Sequence, residues 1–323
     1  MIAVLRKELG DHFSSARFPL ICALIFLAAL LSVSLAGDGL RGWLGDGPGL
    51  FLEGRLFLLL FTAPGAWLPA FMFVAYLGPL AGLVLGFDSV SRERAQGTLS
   101  KILSQPIYRD ELLAGKFLAG LLTLAVMAAA LLMLITGLSL AWLGLVPTAD
   151  ELGRLFLFWA LTVLYLGFWL ALGLLSSIVF RGALASALAC GALWLSLAFL
   201  GAVAAGALAG ALAPVNDSLR PTRAELAARE ELFRSFSLLS PVKLYQEAAG
   251  FLLDPASRSP DQSRQLADPA VSDPYTGRFS GPLPVGQSLV LLMPHLAALL
   301  IWAALVFHLS CFIFSRQEIR SSA

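Results

Sequence analysis

Charge is what this chain most conspicuously lacks. Only 13% of its 323 residues are Asp, Glu, Lys or Arg, against 58% hydrophobic residues and a mean hydropathy of +0.82. A soluble domain carries roughly 25% charged residues. Half that fraction cannot clothe a water-facing surface, so much of the exterior must face lipid. The net charge of +1 provides no field to recruit nucleic acid, and no nucleic-acid partner is expected. Cysteine is equally scarce. Cys22, Cys190 and Cys311 lie in or beside apolar runs, as small buried residues rather than a disulfide framework or a metal set.

Catalytic signatures are missing too. The sequence has no G-x-S-x-G, no H-E-x-x-H and no Cys-x-x-Cys. Its sole Gly-Lys pair, Gly115-Lys116, precedes Phe117 and is no Walker motif. The chain therefore has no recognisable means of hydrolysing ATP, and neither a catalytic residue, a bound cofactor nor a metal site is expected in it. The apolar runs also lack Asp, Glu, Lys and Arg in their interiors, which disfavours a proton-coupled carrier. His295 and His308 sit 13 residues apart on one run and read as packed or hydrogen-bonded side chains.

What is present is a succession of apolar runs near the roughly 20 residues that cross a bilayer. They read as an all-α polytopic fold with six spans: 18–36, 67–87, 117–143, 155–177, 184–213 and 287–314. Residues 1–17 place Ile2, Leu5, Leu9 and Phe13 on one helical face, as an amphipathic helix in the membrane interface. Arg6, Lys7 and Arg17 before the first run also fit a signal peptide, but the structured leader and the run's length favour an uncleaved anchor. Leu56–Phe61 is too short to span and reads as a re-entrant piece. The organisation is thus an interfacial helix (1–17), five spans (18–213), a partly helical extracytoplasmic insertion (214–286), and a sixth span with its tail (287–323). Within the insertion, Thr222 and Glu225 form a capping-box pattern, and Ser240-Pro241 marks a second helix start. Gly206 and Gly210 in the fifth span have the spacing of a close helix contact.

Lys and Arg set the orientation. The loops on the side of the N-terminus hold Arg92, Arg94, Lys101, Arg109, Lys116 and Arg181, whereas the short loops opposite hold Arg41, Arg55 and Arg154. Both termini are therefore expected in the cytoplasm, in the inner (plasma) membrane.

The informative positive is the polar segment 88–116. Thr98 is a good N-cap, Leu99, Ile102 and Leu103 share a face, and Pro106 ends the helix. Lys116 is expected to snorkel to the headgroups at the start of the third span. The segment is a rigid amphipathic knob, suited to headgroups or to a soluble partner. The run Glu93-Arg94-Ala95-Gln96-Gly97-Thr98-Leu99, then Leu103 and Pro106, then Arg109 and Gly115-Lys116, resembles the first cytoplasmic loop of permeases of the second-type ABC exporter family. Within that family it resembles the nitrous-oxide-reductase maturation permeases, or gliding- and antibiotic-related exporters.

That resemblance implies a coupling helix docking on a separate nucleotide-binding subunit, which would carry the ATP and Mg. Glu93, Arg94, Gly97, Thr98, Leu99, Leu103, Pro106, Arg109 and Lys116 would serve this coupling. The link holding Arg181 matches the family's second cytoplasmic contact more loosely. A second copy of the chain or a homologous permease, and membrane lipid, would complete the assembly, with an extracytoplasmic protein as a further partner for 214–286. Two rivals stay open: a mechanotransmission or scaffold subunit that moves no cargo, and a stand-alone membrane enzyme.

Overall fold

The computed structural model describes residues 2–46, 56–62, 69–106, 108–144, 146–213, 223–237, 240–254 and 285–317. Among them every regular element is a helix. They are α1 (Ile2–Ser14), α2 (Arg17–Asp46), α3 (Leu56–Thr62), α4 (Ala70–Gly86), α5 (Ser91–Ala95), α6 (Thr98–Leu103), α7 (Arg109–Leu143), α8 (Ala149–Val179), α9 (Ala183–Leu195), α10 (Gly201–Leu212), α11 (Arg223–Ser237), α12 (Pro241–Leu253) and α13 (Val285–Arg316). A single π-turn, Ser196–Leu200, joins α9 to α10. Six helical stretches are long and apolar enough to cross a membrane, in agreement with the six spans read from hydropathy.

α8 is the central post. Trp169 and Tyr165 in its middle are fully buried, and α4, α7, α12 and α13 pack around it. α4 approaches it backbone to backbone, and glycine makes this possible. A Cβ at Gly86 would meet backbone atoms of Leu174 and Leu170 at 2.7 and 2.8 Å; one at Gly82 would meet Leu166 O at 2.8 Å. Gly78, Gly82 and Gly86 recur every fourth residue, a small-residue stripe that brings two backbones together. The pair noticed in the sequence, Gly206 and Gly210, instead faces α11, with Phe233 and Arg229 as neighbours.

α8 begins two turns earlier than hydropathy suggests. Thr148 and Glu151 form a reciprocal capping box: Glu151 N donates to Thr148 Oγ1, and Thr148 N to Glu151 Oε2. Arg154, read as a loop residue, is therefore helical and only 1% exposed. It donates to Asp150 Oδ2, to Ser288 Oγ and to the Leu252 carbonyl, tying α8, α12 and α13 at one end of the bundle. The same motif at Thr222 and Glu225 lies outside the described residues at Thr222.

α12, expected in an outer insertion, is packed among the spans. Tyr245 stacks on Tyr165 of α8 at 4.3 Å between ring centroids, and its hydroxyl is 3.0 Å from Thr162 Oγ1. Tyr165 in turn donates to the Ala75 carbonyl of α4. Glu247 of α12, also buried, lies 3.3 Å from His295 Nε2 of α13. Pro241 does open the helix. Ser240 makes no side-chain cap, and its hydroxyl reaches across to the Leu197 carbonyl in the π-turn.

Candidate functional site

The knob at 88–106 is assembled from the ends of other helices. Its first helix, α5, has no cap of its own. Val90 N and Ser91 N instead donate to Ser177 Oγ at the end of α8, at 2.8 and 2.9 Å, which satisfies the otherwise orphaned amides. Gly97, at φ 67°, makes the sharp turn from α5 into α6. This left-handed conformation costs glycine least. Thr98 is not the N-cap that its residue type suggests. Gly97 occupies that position, and Thr98, the first helical residue, donates from its hydroxyl to the Glu93 carbonyl, closing the end of α5.

The apolar face of α6 turns inward. Leu99 is 1% exposed and packs with Val4, Leu112, Leu174, Ile178 and Phe314; Ile102 and Leu103 cover that cluster. Ser100, Lys101, Ser104, Gln105 and Pro106 face outward. The result is an elbow with an apolar underside and a polar, exposed crest.

The largest departure from expectation concerns Lys116. It does not snorkel. Its side chain is 2% exposed, and its ammonium lies 2.8 Å from Glu8 Oε1 and 2.9 Å from Glu93 Oε1. Glu93 is itself 8% exposed. Lys7 reaches the same two carboxylate oxygens at 3.4 and 3.2 Å. Four charges, two of each sign, thus clamp α1 and α5 onto the start of α7. This explains an inversion in α1. Its apolar residues Ile2 and Phe13 stand exposed, at 72% and 55%, while Val4 and Glu8 face the protein. The buried side of the helix thus pairs one apolar residue with one carboxylate, while Ile2 and Phe13 point away from the bundle.

Electrostatics follow this geometry. Burial works against the Glu8 charge, but Lys116 and then Lys7 outweigh it and hold the carboxyl below its ordinary range. Burial likewise opposes the Lys7 charge, and Glu8 and Glu93 overcome it, raising the ammonium. Burial pushes His12 down. The depressed Glu8 and His12 both make α1 docking stronger at higher pH and weaker as protons bind. Lys7 changes nothing until strongly alkaline pH. The amide protection factors of residues 2–14, which correct for the intrinsic slowing of exchange in acid, should therefore be high at pH 7.5 and drop as pH falls through 6 and then 4; pH-independent protection would contradict the clamp.

A second brace fixes the other flank. Arg94 donates to Gln317 Oε1 at 2.6 Å and more distantly to the Ile178 carbonyl, which also accepts from Gln317 Nε2. Arg109 Nη1 donates to the carbonyls of Phe314, Ser315 and Gln317 at the end of α13. Arg181, exposed on the α8–α9 link, lies three residues beyond Ile178 at the same end of the bundle.

The residues expected at the site therefore gather at one end but divide by task. Glu93, Arg94, Leu99, Leu103, Arg109 and Lys116 hold the knob. Gly97 and Pro106 are presented on its surface, Arg181 is exposed on the neighbouring α8–α9 link, and Thr98 lies half-buried. Sequence reasoning missed Lys7, Glu8, Ser177 and Gln317. An acidic residue, Glu8, flanking the apolar face of α1 was the one available signal. Among the described residues no three of His, Cys, Asp and Glu gather in metal-holding geometry. A polar cleft of about 470 Å³ opens between α1 and the knob.

A helical bundle with six helices long and apolar enough to cross a bilayer, and a braced polar knob at one end, defines a polytopic integral membrane protein. The model of the ABC-2 family transporter proteins matches residues 2–319, and the chain belongs to that family. Among curated relatives it is similar to the probable ABC transporter permease protein NosY of Pseudomonas aeruginosa, with 35% identity over 150 residues. That alignment covers 46% of this chain and 47% of the relative. A second relative, the probable ABC transporter permease protein NosY of Stutzerimonas stutzeri, is 28% identical over 158 residues, 49% of each chain. The chain spans about half the length of the curated relatives it matches.

Proposed function

We infer that this chain is the membrane-spanning permease subunit of an ABC exporter, driven by ATP hydrolysis on a separate subunit through the 88–106 knob. The carrying observation is mechanical. α5 is anchored to α1, α7 and α8 by a buried ion cluster and a shared serine cap and to the end of α13 by Arg94, α6 packs through Leu99, and Arg109 ties α7 to α13 beside them. Force applied to the crest reaches several spans rather than bending a loop. Membership of the family and its resemblance to permease subunits favour an ATPase as the source of that force, with ATP and Mg held there. Two copies of this chain, or one with a homologue, would frame the path. An amphipathic cargo suits spans so poor in charge. The concentration of Lys and Arg at the knob end supports a cytoplasmic knob and cytoplasmic termini in the inner membrane.

The test is co-purification with the ATP-binding subunit expressed alongside. Gly97→Pro, which cannot hold φ 67°, and Lys101→Glu, which reverses an exposed charge on the crest, should each lower ATPase recovery about tenfold. Membrane insertion should be unchanged. Normal recovery with both variants would place the docking surface elsewhere. Orientation is tested by thiol labelling in a background without the three native cysteines. Lys101→Cys should react only from the cytoplasmic side, and Val146→Cys only from the other. ATPase activity stimulated by this chain without any transported molecule in vesicles would favour the scaffold reading.

A further inference from the structure

The cleft between α1 and the knob lies where spans end. Ser15 and Phe18 at the start of α2, and Leu85 and Asp88 at the end of α4, form its floor. Its walls carry both signs: Lys7, Arg92 and Lys101 on one hand, Asp11, Asp88 and Glu93 on the other. Lys7 keeps its side chain 55% exposed, and Arg92 and Lys101 are exposed. Glu93 contributes something more specific. While its Oε1 takes the two lysines, its Oε2 is buried and has no hydrogen-bond partner. A buried carboxylate oxygen without a donor is costly, and marks a place where a donor belongs.

Val84 is shared between this cleft and a second cavity of about 490 Å³, running along α2, α4 and α9. That slot is lined almost wholly by apolar side chains, including Leu20, Ile21, Leu80, Leu83, Phe87 and Cys190. Each cavity falls within the roughly 300–1,000 Å³ of small-molecule sites. A polar cleft at headgroup level, adjoining an apolar slot along the spans, has the division of a phospholipid.

We propose that the two cavities together bind one aminophospholipid of the phosphatidylethanolamine type. The phosphate takes the cationic wall of Lys7, Arg92 and Lys101. The primary ammonium donates to the acidic wall of Asp11, Asp88 and Glu93, whose buried Oε2 gains its missing donor once a shift of the side chain brings it to the cleft. An acyl chain enters the slot past Val84. The lipid is a resident ligand wedged between the interfacial helix and the knob, so it fixes the spacing of α1 from α6. Phosphatidylcholine fits the same outline, but its methylated ammonium has no N–H for Glu93. Phosphatidylglycerol offers no cation to the acidic wall.

The experiment is native mass spectrometry of the full-length chain in mild detergent. It is titrated with phosphatidylethanolamine, phosphatidylcholine and phosphatidylglycerol of matched acyl chains, and with soluble phosphoethanolamine. One phosphatidylethanolamine per chain should be retained, about tenfold more tightly than the other two lipids. Gly191→Phe fills the slot from α9, where an added Cβ meets nothing within 4 Å. The exposed pair Arg92→Gln/Lys101→Gln removes two cations from the cleft. Each should weaken retention about tenfold. Equal binding of the three lipids would mark ordinary annular lipid and overturn the proposal. So would retention unchanged in both variants, or full competition by soluble phosphoethanolamine, which would leave the slot without a role. Displacement of the lipid by the ATP-binding subunit would assign the cleft to a protein partner and overturn it equally.

Discussion

Replacing Lys116 by Met should destabilise the folded chain by about 3–5 kcal/mol, the range for removing one member of a buried charge pair. The wild-type cluster is balanced: Lys7 and Lys116 against Glu8 and Glu93. Without the Lys116 ammonium, two carboxylates that are 8% and 10% exposed at the side chain face each other with only the half-exposed Lys7 between them. The cost arises from the uncompensated charge more than from lost attraction. The triple variant Lys116→Met/Glu8→Gln/Glu93→Gln should therefore recover most of the stability. Thermal unfolding in detergent, together with protease access to α1, distinguishes the outcomes. A surface lysine would give a change near zero in the single variant, and that result would falsify the buried cluster.

Gly86→Leu should be damaging for a steric reason. Its new Cβ would meet the Leu174 nitrogen, the Leu170 carbonyl oxygen and the Gly173 carbonyl carbon, all below 3.0 Å and all backbone. Side chains can rotate away; a helix backbone cannot. Overpacking costs about 1–3 kcal/mol when neighbours adjust, and occasionally more. Here α4 and α8 must separate along their seam, so the upper end or failure to accumulate is expected. Gly137→Leu is the control, since an added Cβ there meets nothing within 4 Å. Equal expression and equal melting of the two variants would show that the seam tolerates a wider spacing.

The spans were legible because hydropathy acts on single residues over a long window, and long apolar runs have few alternatives. The inward face of α6 was legible for a related reason: Leu99, Ile102 and Leu103 share a side at helical spacing. Lys116 was not, because its sequence neighbours say only that a charge adjoins an apolar run. Whether it snorkels depends on Glu8, more than a hundred positions away in the chain. The start of α8 was missed differently. Thr148 and Glu151 carry a local signal, but hydropathy placed the boundary at Leu155 and so hid the two turns before it. The Gly78–Gly82–Gly86 stripe was present in the sequence as well. Spacing alone does not say which of several glycine-bearing helices will meet another backbone, and the pair at Gly206 and Gly210, with the same spacing, meets only side chains. α12 reads as part of an outer insertion because it sits inside a polar segment. Its own residues, from Val242 to Leu253, are largely apolar, and Tyr245 and Glu247 find their partners only within the bundle.

Arg109 grips α13 through main-chain oxygens alone, at Phe314, Ser315 and Gln317. Such acceptors are supplied by every amino acid. The final turn of the last helix is thus free to change its spelling while the grip persists, whereas a shift in the length of that helix would slide all three oxygens out of reach together. Register, rather than residue identity, is what this joint reads.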